Sequence, residues 1–336
     1  MIGINKYIEN KIKIKNKNKN KNKKYTLIVG RTPSRGARSP KLWNKAYKAL
    51  KLKVKMEPAD LPQRNIKDFF NFIKKDKNFL GGAITAPYKV VAMKYMDKID
   101  QKSLKIGSIN TMVRNKKKLI GYNTDFSGCY ESLKKIKKKK NVLILGCGGA
   151  AKAVILATIS RFKKINFFFF NRSQKKLKKF LTKIKLKNFN FISGYNELIE
   201  LKNLDLVLNA TSVGFDSWIK VNNKYFNLKF FSPLTNLKEL KKIFNKNYKT
   251  FFEKNRNLIV KDTKILKLFF KKNSNCDVFD VIYKPKTTKL MKFSYQSKNK
   301  VYNGLQMNLI QAVKGFMLTN KINNFNLVKK AMVSNG

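Results

Sequence analysis

Short apolar runs alternate along this chain with longer stretches in which apolar side chains return at helical spacing, as strands interleaved with helices do. "YTLIVG", Tyr25 to Gly30, reads as a buried strand entering a glycine. Lys41 to Lys51 places Leu42, Ala46 and Ala49 or Leu50 on one side, which predicts a helix. "VKMEPA" fits a second strand and Ile66 to Ile73 a second helix. "GGAITAP" is a buried strand stopped by Pro87, with a helix expected around Val90 to Met96. "NTMVR" and "LIGYN", separated by "NKKK", predict a hairpin.

Near residue 128 the pattern changes. "NVLILG", "INFFFF", "FNFISG" and "LDLVLNAT" are continuous apolar runs spaced by helix-length segments, the rhythm of a parallel sheet covered on both faces. The stretch 215–275, rich in Lys, Asn and Phe, follows no such rhythm and is expected to be an irregular insertion. "CDVFDVIYKP" returns to strand character before Pro285, and "NGLQMNLIQAVKGFMLTN" is an amphipathic helix. The fold class that follows is α/β: an N-terminal mixed α/β domain, then a Rossmann-type doubly wound nucleotide-binding domain.

The exit of "NVLILGCGGA" carries the first chemistry. Gly146, Gly148 and Gly149 turn the chain between a strand and the helix beginning near Ala150, where backbone N–H groups can receive a pyrophosphate. The spacing is G-x-G-G-A rather than G-x-G-x-x-G. At the end of the next strand an Asp or Glu would bind the ribose 2'-hydroxyl of NAD, but the chain reads "NRSQKK". Arg172 can fork onto a 2'-phosphate, Ser173 adds a hydroxyl, Lys176 a second cation, and Asn171 can hold the adenosine ribose. The expected cofactor is NADP.

Charge changes the picture less than its size suggests. The 76 Lys and Arg against 18 Asp and Glu give +58, yet the lysines run through every segment beside Asn, Ile and Phe. Those residue types share A/T-rich codons, so codon bias accounts for them without a nucleic-acid surface. The absence of histidine excludes histidine triads, histidine zinc sites and histidine-assisted hydride transfer. No metal-ligand spacing is present. Cys129, Cys147 and Cys276 form no Cys-x-x-Cys pair, which fits a reducing compartment. Two polar residues stand in apolar surroundings: Lys89 after "AITAPY" and Asp125 in "GYNTDFSG". They suit a general acid/base and its partner equally with a structural salt bridge.

In combination, "RSP", "TAPYK", "GSINT", "GYNTD", "LGCGGAA", "NRS", "NATSVG", "VIYKP" and "NGLQMNLIQA" resemble the shikimate dehydrogenase family, in that family's order. The resemblance implies reversible reduction of 3-dehydroshikimate to shikimate with NADPH, a step of chorismate and aromatic amino acid biosynthesis. It implies catalysis by Lys89 and Asp125, with substrate held by Ser39, Thr85, Asn110, Asp125, Tyr283 and Gln311. It assigns cofactor contacts to Gly148, Gly149, Asn171, Arg172, Ser173, Asn209, Ala210 and Thr211; Gly146, Ala150, Lys176 and Gly304 join them as cofactor-binding candidates, and no metal is expected. Two positions depart from the family: Ala37 replaces the first serine of Ser-x-Ser-Pro, and Ala83 replaces the asparagine of Asn-Val-Thr. Ser34, Arg35 or Arg38 are the candidates to compensate. A quinate or other shikimate-like hydroxy-acid dehydrogenase therefore stays open, as does a basic nucleic-acid-binding protein on a dehydrogenase fold.

The expected layout is a flexible Lys/Asn-rich tail at 1–24 and a substrate-binding catalytic domain at 25–127. An NADP-binding domain at 128–300 follows, and 301–336 are helices returning to the catalytic domain. The expected partner is the small-molecule substrate, with no specific nucleic acid and no membrane, in a cytoplasmic monomer or homodimer. Because substrate and cofactor are anions, added salt should raise KM for both; initial rates over a salt series check this.

Overall fold

The computed structural model describes residues 2–12, 24–137, 139–162, 165–171, 173–187, 189–221 and 223–334. The chain divides into two compact units, residues 1–131 with 307–336, and residues 132–306.

The first unit begins with α1 (Ile2–Asn5), β1 (Tyr25–Gly30), α2 (Ser39–Ala49), β2 (Lys55–Asp60), α3 (Ile66–Lys75) and β3 (Phe79–Ile84). A 3-10 turn at Val91–Tyr95, not the expected α-helix, leads to β4 (Lys98–Ile99) and α4 (Gln101–Ile106). The hairpin follows as β5 (Thr111–Asn115) and β6 (Lys118–Tyr122), and then α5 (Asp125–Leu133). The six strands form one mixed sheet, ordered β2-β1-β3-β5-β6-β4. β1 shows why it is buried on both faces. Tyr25, Leu27 and Val29 enter one apolar cluster with Phe69, Phe70 and Phe79, while Ile28 enters another with Trp43, Val313 and Phe316.

The second unit contains β7 (Asn141–Leu145), α6 (Gly149–Arg161), β8 (Asn166–Phe170), α7 (Gln174–Lys183), β9 (Phe189–Phe191), α8 (Tyr195–Glu200) and β10 (Leu206–Asn209). The hairpin β11 (Trp218–Val221) and β12 (Lys224–Asn227) precedes α9 (Tyr248–Lys254) and α10 (Arg256–Lys272). β13 (Asp277–Asp280), α11 (Lys289–Gln296) and β14 (Val301–Asn303) complete it. Its main sheet is wholly parallel, ordered β14-β13-β10-β7-β8-β9. Counted in chain order this is the doubly wound 3-2-1-4-5-6 arrangement, with its switch point between β7 and β10. The chain then returns to the first unit as α12 (Leu305–Asn320) and α13 (Phe325–Val333), which add Val313, Phe316, Val328 and Ala331 to its second cluster.

Three expectations are corrected. Residues 2–12 are not a tail: Ile4, Ile8 and Ile12 are buried in the cluster of Phe69 and Phe70, and Asn10 Nδ2 donates to Pro58 O at 2.8 Å. The Lys/Asn tract 13–23 lies outside the described residues. The stretch 215–275 is ordered around Phe231, Ile243, Phe251, Leu258 and Ile259, and α10 sends Leu266, Phe269 and Phe270 into the main core. Fully buried Asp262 on α10 fastens it, accepting from Lys289 Nζ at 2.8 Å and Ser232 Oγ at 2.6 Å. Finally, 301–303 do not leave the nucleotide sheet, because β14 pairs with β13. Ile4 is 1% exposed. Ile4→Ala should therefore lower unfolding free energy by about 2 kcal/mol in urea melts, where a solvated tail would show no change.

Candidate active site

Four segments of the first unit converge where β3 ends. Lys89 lies in the turn after β3, its carbonyl fixed by the Ile109 N–H at 2.8 Å. Its ammonium donates to Asp125 Oδ2 at 2.6 Å, the two side chains being 18% and 8% exposed. Asp125 opens α5, where the helix N-terminus favours a negative group. Asn110, just before β5, accepts the Thr124 backbone N–H on Oδ1 at 2.7 Å. That acceptor must be the carbonyl oxygen, so the amide nitrogen faces Asp125 Oδ1 at 2.9 Å, Gln311 Oε1 at 3.0 Å and Thr124 Oγ1 at 3.0 Å. Gln311 on α12 is oriented likewise, since its Nε2 donates to the Asn308 carbonyl at 2.9 Å. Gly128 permits this approach: a Cβ there would stand 2.5 Å from Met307 O and 3.2 Å from Gln311 Cβ.

The structure thus joins Lys89, Asn110, Asp125 and Gln311, and adds Thr124, which the sequence did not single out. Ser39, buried at the first position of α2, and Thr85, whose N–H donates to Val29 O at 2.8 Å, lie in the same unit. Among the described residues neither is hydrogen-bonded to the four. Tyr283 belongs to the second unit, its ring edge-on to Phe215 at 5.8 Å. Ala37 and Ala83 both face the apolar cluster of Trp43 and Phe316. Of the three candidates to compensate, Ser34 is engaged by Asp60, Oγ to Oδ2 at 2.5 Å, and Arg35 is exposed. Arg38 is half-buried, and its Nη1 donates to Asn308 Oδ1 at 3.0 Å, one turn before Gln311.

The second unit gathers most of the nucleotide-site candidates at its switch point. Gly146 has φ 102°, and a Cβ on it would stand 3.0 Å from Thr211 Cγ2 and 3.2 Å from Ala210 O. Cys147 Sγ lies 3.9 Å from Lys176 O, so the glycine turn adjoins the first turn of α7. Asn171 Nδ2 donates to Ser173 O at 2.8 Å, closing the turn between β8 and α7. Gly148 stands before α6, and a Cβ there would meet open space, while Gly149 and Ala150 begin the helix. Arg172 lies outside the described residues. Gly304 has a packing reason of its own, since a Cβ there would collide with Val281 O.

Two groups at the strand ends carry further polar structure. Asn209 closes β10: its Oδ1 accepts from Thr211 N at 3.0 Å and Thr211 Oγ1 at 2.8 Å, and its Nδ2 donates to Asp280 Oδ1 at 3.1 Å. Asp280 closes β13 and accepts also from Ile282 N at 3.0 Å and Thr288 Oγ1 at 2.8 Å. Complete burial pushes its carboxyl up to about 6, against the lowering effect of those three hydrogen bonds. The sequence signal was an acid ending an otherwise apolar parallel strand. All three thiols are buried, and burial pushes each upward, so none is a poised nucleophile.

Compared with known proteins, residues 29–112 match the family described as "Shikimate dehydrogenase substrate binding domain". A "Shikimate dehydrogenase (NADP(+))" of Clostridium botulinum is 30% identical over 280 residues, 82% of this chain and 89% of the relative. The protein of that name from Methanococcus aeolicus is 28% identical over 307 residues, 90% and 94% of the two chains. A crystal structure of a shikimate dehydrogenase in complex with NADP+ superposes with TM-score 0.67 at 25% identity, covering 92% of this chain and 94% of its own. The Thermus thermophilus structure, in complex with NADP(H) and shikimate, shares the fold with TM-score 0.67 at 21% identity, covering 92% and 98%. No helix among the described residues is long and apolar enough to cross a membrane.

Asp280 gives a signed pH dependence of stability. Its folded value of about 6 lies above the ordinary 3.8, so the folded state holds the proton more tightly. The stabilisation is complete below 3.8 and is lost as pH rises through about 6, a change of about 3 kcal/mol. Urea melts of Asp280→Asn against the parent from pH 4 to 7 should show the parent losing that increment relative to the variant.

Proposed function

The chain belongs to the shikimate dehydrogenase family, and we propose that it catalyses the reversible NADPH-dependent reduction of 3-dehydroshikimate to shikimate. One observation carries the reading: Lys89, Asp125, Asn110 and Gln311, from four separated motifs, form a single hydrogen-bonded set. A largely buried ion pair is a poor stabiliser, because desolvation offsets its attraction. Its chemistry is a better reason for its presence.

The second unit fits a dinucleotide. Gly148 leaves open space before the N-terminus of α6, and no acid at the end of β8 opposes a 2'-phosphate. Gly146, Gly148, Gly149 and Ala150 would hold the pyrophosphate, with Asn171, Arg172, Ser173 and Lys176 at the adenosine end. Asn209, Ala210, Thr211 and Gly304 would serve the nicotinamide half. NADPH, when bound, supplies the hydride for the C3 carbonyl carbon. Lys89 Nζ gives its proton to the developing alkoxide and recovers it in the reverse direction. Asp125 holds the ammonium in place and accepts from the substrate hydroxyl once it has formed, while Asn110, braced by Gln311, keeps that carboxylate aimed. Within the first unit, Ser39 and Thr85 complete substrate binding. With Ala37 and Ala83 apolar, Arg38 is our candidate to read the substrate carboxylate, as a guanidinium fork does.

An NADP-coupled assay against shikimate and quinate tests this. Turnover should favour shikimate and fall by roughly 10²–10⁴-fold in Lys89→Met. A quinate preference would change the substrate, and no turnover together with sequence-selective nucleic-acid binding would overturn the enzyme reading. Arg172→Ala should raise KM for NADP with little effect on NAD; equal losses would assign that residue to the fold.

A further inference from the structure

The carboxylate of Asp280 has no place in the proton chemistry above, yet it is among the most buried charges in the protein. It is 0% exposed, and its three recorded partners, Asn209, Ile282 N and Thr288, are all neutral. Three titratable groups on neighbouring elements are directed elsewhere. Lys289 on α11 binds Asp262 and Ile259 O. Asp216, beyond β10, faces Lys229 and Tyr248, and Lys284 lowers it further. Tyr302 on β14 responds to burial and to Asp277, at the opposite end of β13. Above its titration, then, Asp280 is a buried negative charge held by neutral donors, with no cation in contact among the described residues.

Its place in the sheet gives that charge a target. A doubly wound sheet binds a dinucleotide across the carboxyl ends of its strands, one mononucleotide to each half. The glycine turn and the 2'-phosphate candidates occupy the β7-β8-β9 half, leaving the nicotinamide to β10-β13-β14. Asp280 ends the middle strand of that half and, through Asn209, holds Thr211 at the switch point. The nicotinamide ring is cationic when oxidised and neutral when reduced. An uncompensated charge in a low-dielectric setting acts on the first form and not the second.

We infer that Asp280 is a positioning residue whose buried charge tilts the cofactor site toward the oxidised form, so that it favours NADP+ relative to NADPH. This rests on the reading that the second unit binds NADP(H). Asn at this position keeps an acceptor for Asn209 and Ile282 and removes the charge, its amide nitrogen donating to Thr288 Oγ1 where Asp280 Oδ2 had accepted.

The test is direct binding, not turnover. NADPH is titrated by its fluorescence and NADP+ by competition, on the full-length parent, Asp280→Asn, and the exposed-site control Asp68→Asn. At pH 7.5 the ratio Kd(NADP+)/Kd(NADPH) should rise roughly three- to tenfold in Asp280→Asn and stay unchanged in the control. In the parent the same ratio should rise between pH 7.5 and 5.5, and in Asp280→Asn it should be flat. The 2'-phosphate titrates in both redox forms and cancels in the ratio. If Asp280→Asn does not fold, the pH series on the parent decides alone. A ratio that is pH-independent in the parent, or equal in parent and a folded Asp280→Asn, overturns the inference while leaving the enzyme reading intact. Binding of neither form by the parent overturns the dinucleotide reading, and this inference with it.

Discussion

The hydrogen bond from the Thr124 backbone N–H to Asn110 Oδ1 decides which way the Asn110 carboxamide faces. Everything at the Lys89 end follows from it. With the oxygen committed to the backbone, the nitrogen is committed to Asp125 and Gln311, and Asp125 is left with its other oxygen on Lys89. The hairpin β5–β6 supplies the constraint cheaply, because Thr111 pairs with Tyr122 in register and so brings Asn110 and Thr124 together at its open end. An antiparallel register that slipped by one residue would separate them. Gly128 adds the remaining condition, allowing α12 to bring Gln311 against α5.

Much of this was legible because the relevant features are local. "NTMVR" and "LIGYN" announce a hairpin by alternation around a lysine turn, and "NVLILG" announces a buried parallel strand by its lack of alternation. The nine motifs could be read in order because each is short and touches the boundary of an element. What stayed hidden depends on tertiary context. Ile4, Ile8 and Ile12 recur every fourth position, but the Lys/Asn composition around them outweighed that spacing. In α10 the stripe Leu258, Ile259, Leu266, Phe269 and Phe270 was obscured in the same way by its lysine-rich neighbours. Thr124 acts through Asn110 across the hairpin and Asp280 through Asn209 on another strand, and no local pattern reports a pairing between strands.

The two units handle charge differently. The first buries a cation and an anion in contact, where a proton can be given and recovered on one oxygen. The second buries Asp280 with no ion-pair partner among the described residues, at the strand ends where a dinucleotide is expected. Both sit inside a chain carrying +58. A positive excess of that kind raises the local concentration of anions, but it does not place any group, and the placing is left to a handful of neutral amides and hydroxyls. Asn110, Asn209, Gln311 and Thr288 are all of this kind.

The central claim is that Lys89, Asp125 and the amide that aims them act as one unit. A double-mutant cycle on kcat with the NADP-coupled shikimate assay tests it most directly, using Lys89→Met, Asn110→Ala and the combination. If Asn110 works only by aiming the carboxylate that holds Lys89, its loss costs activity in the parent and little more once Lys89 is gone. The double variant should then match Lys89→Met alone. Losses that multiply, with Asn110→Ala reducing kcat by the same factor in both backgrounds, would contradict the account.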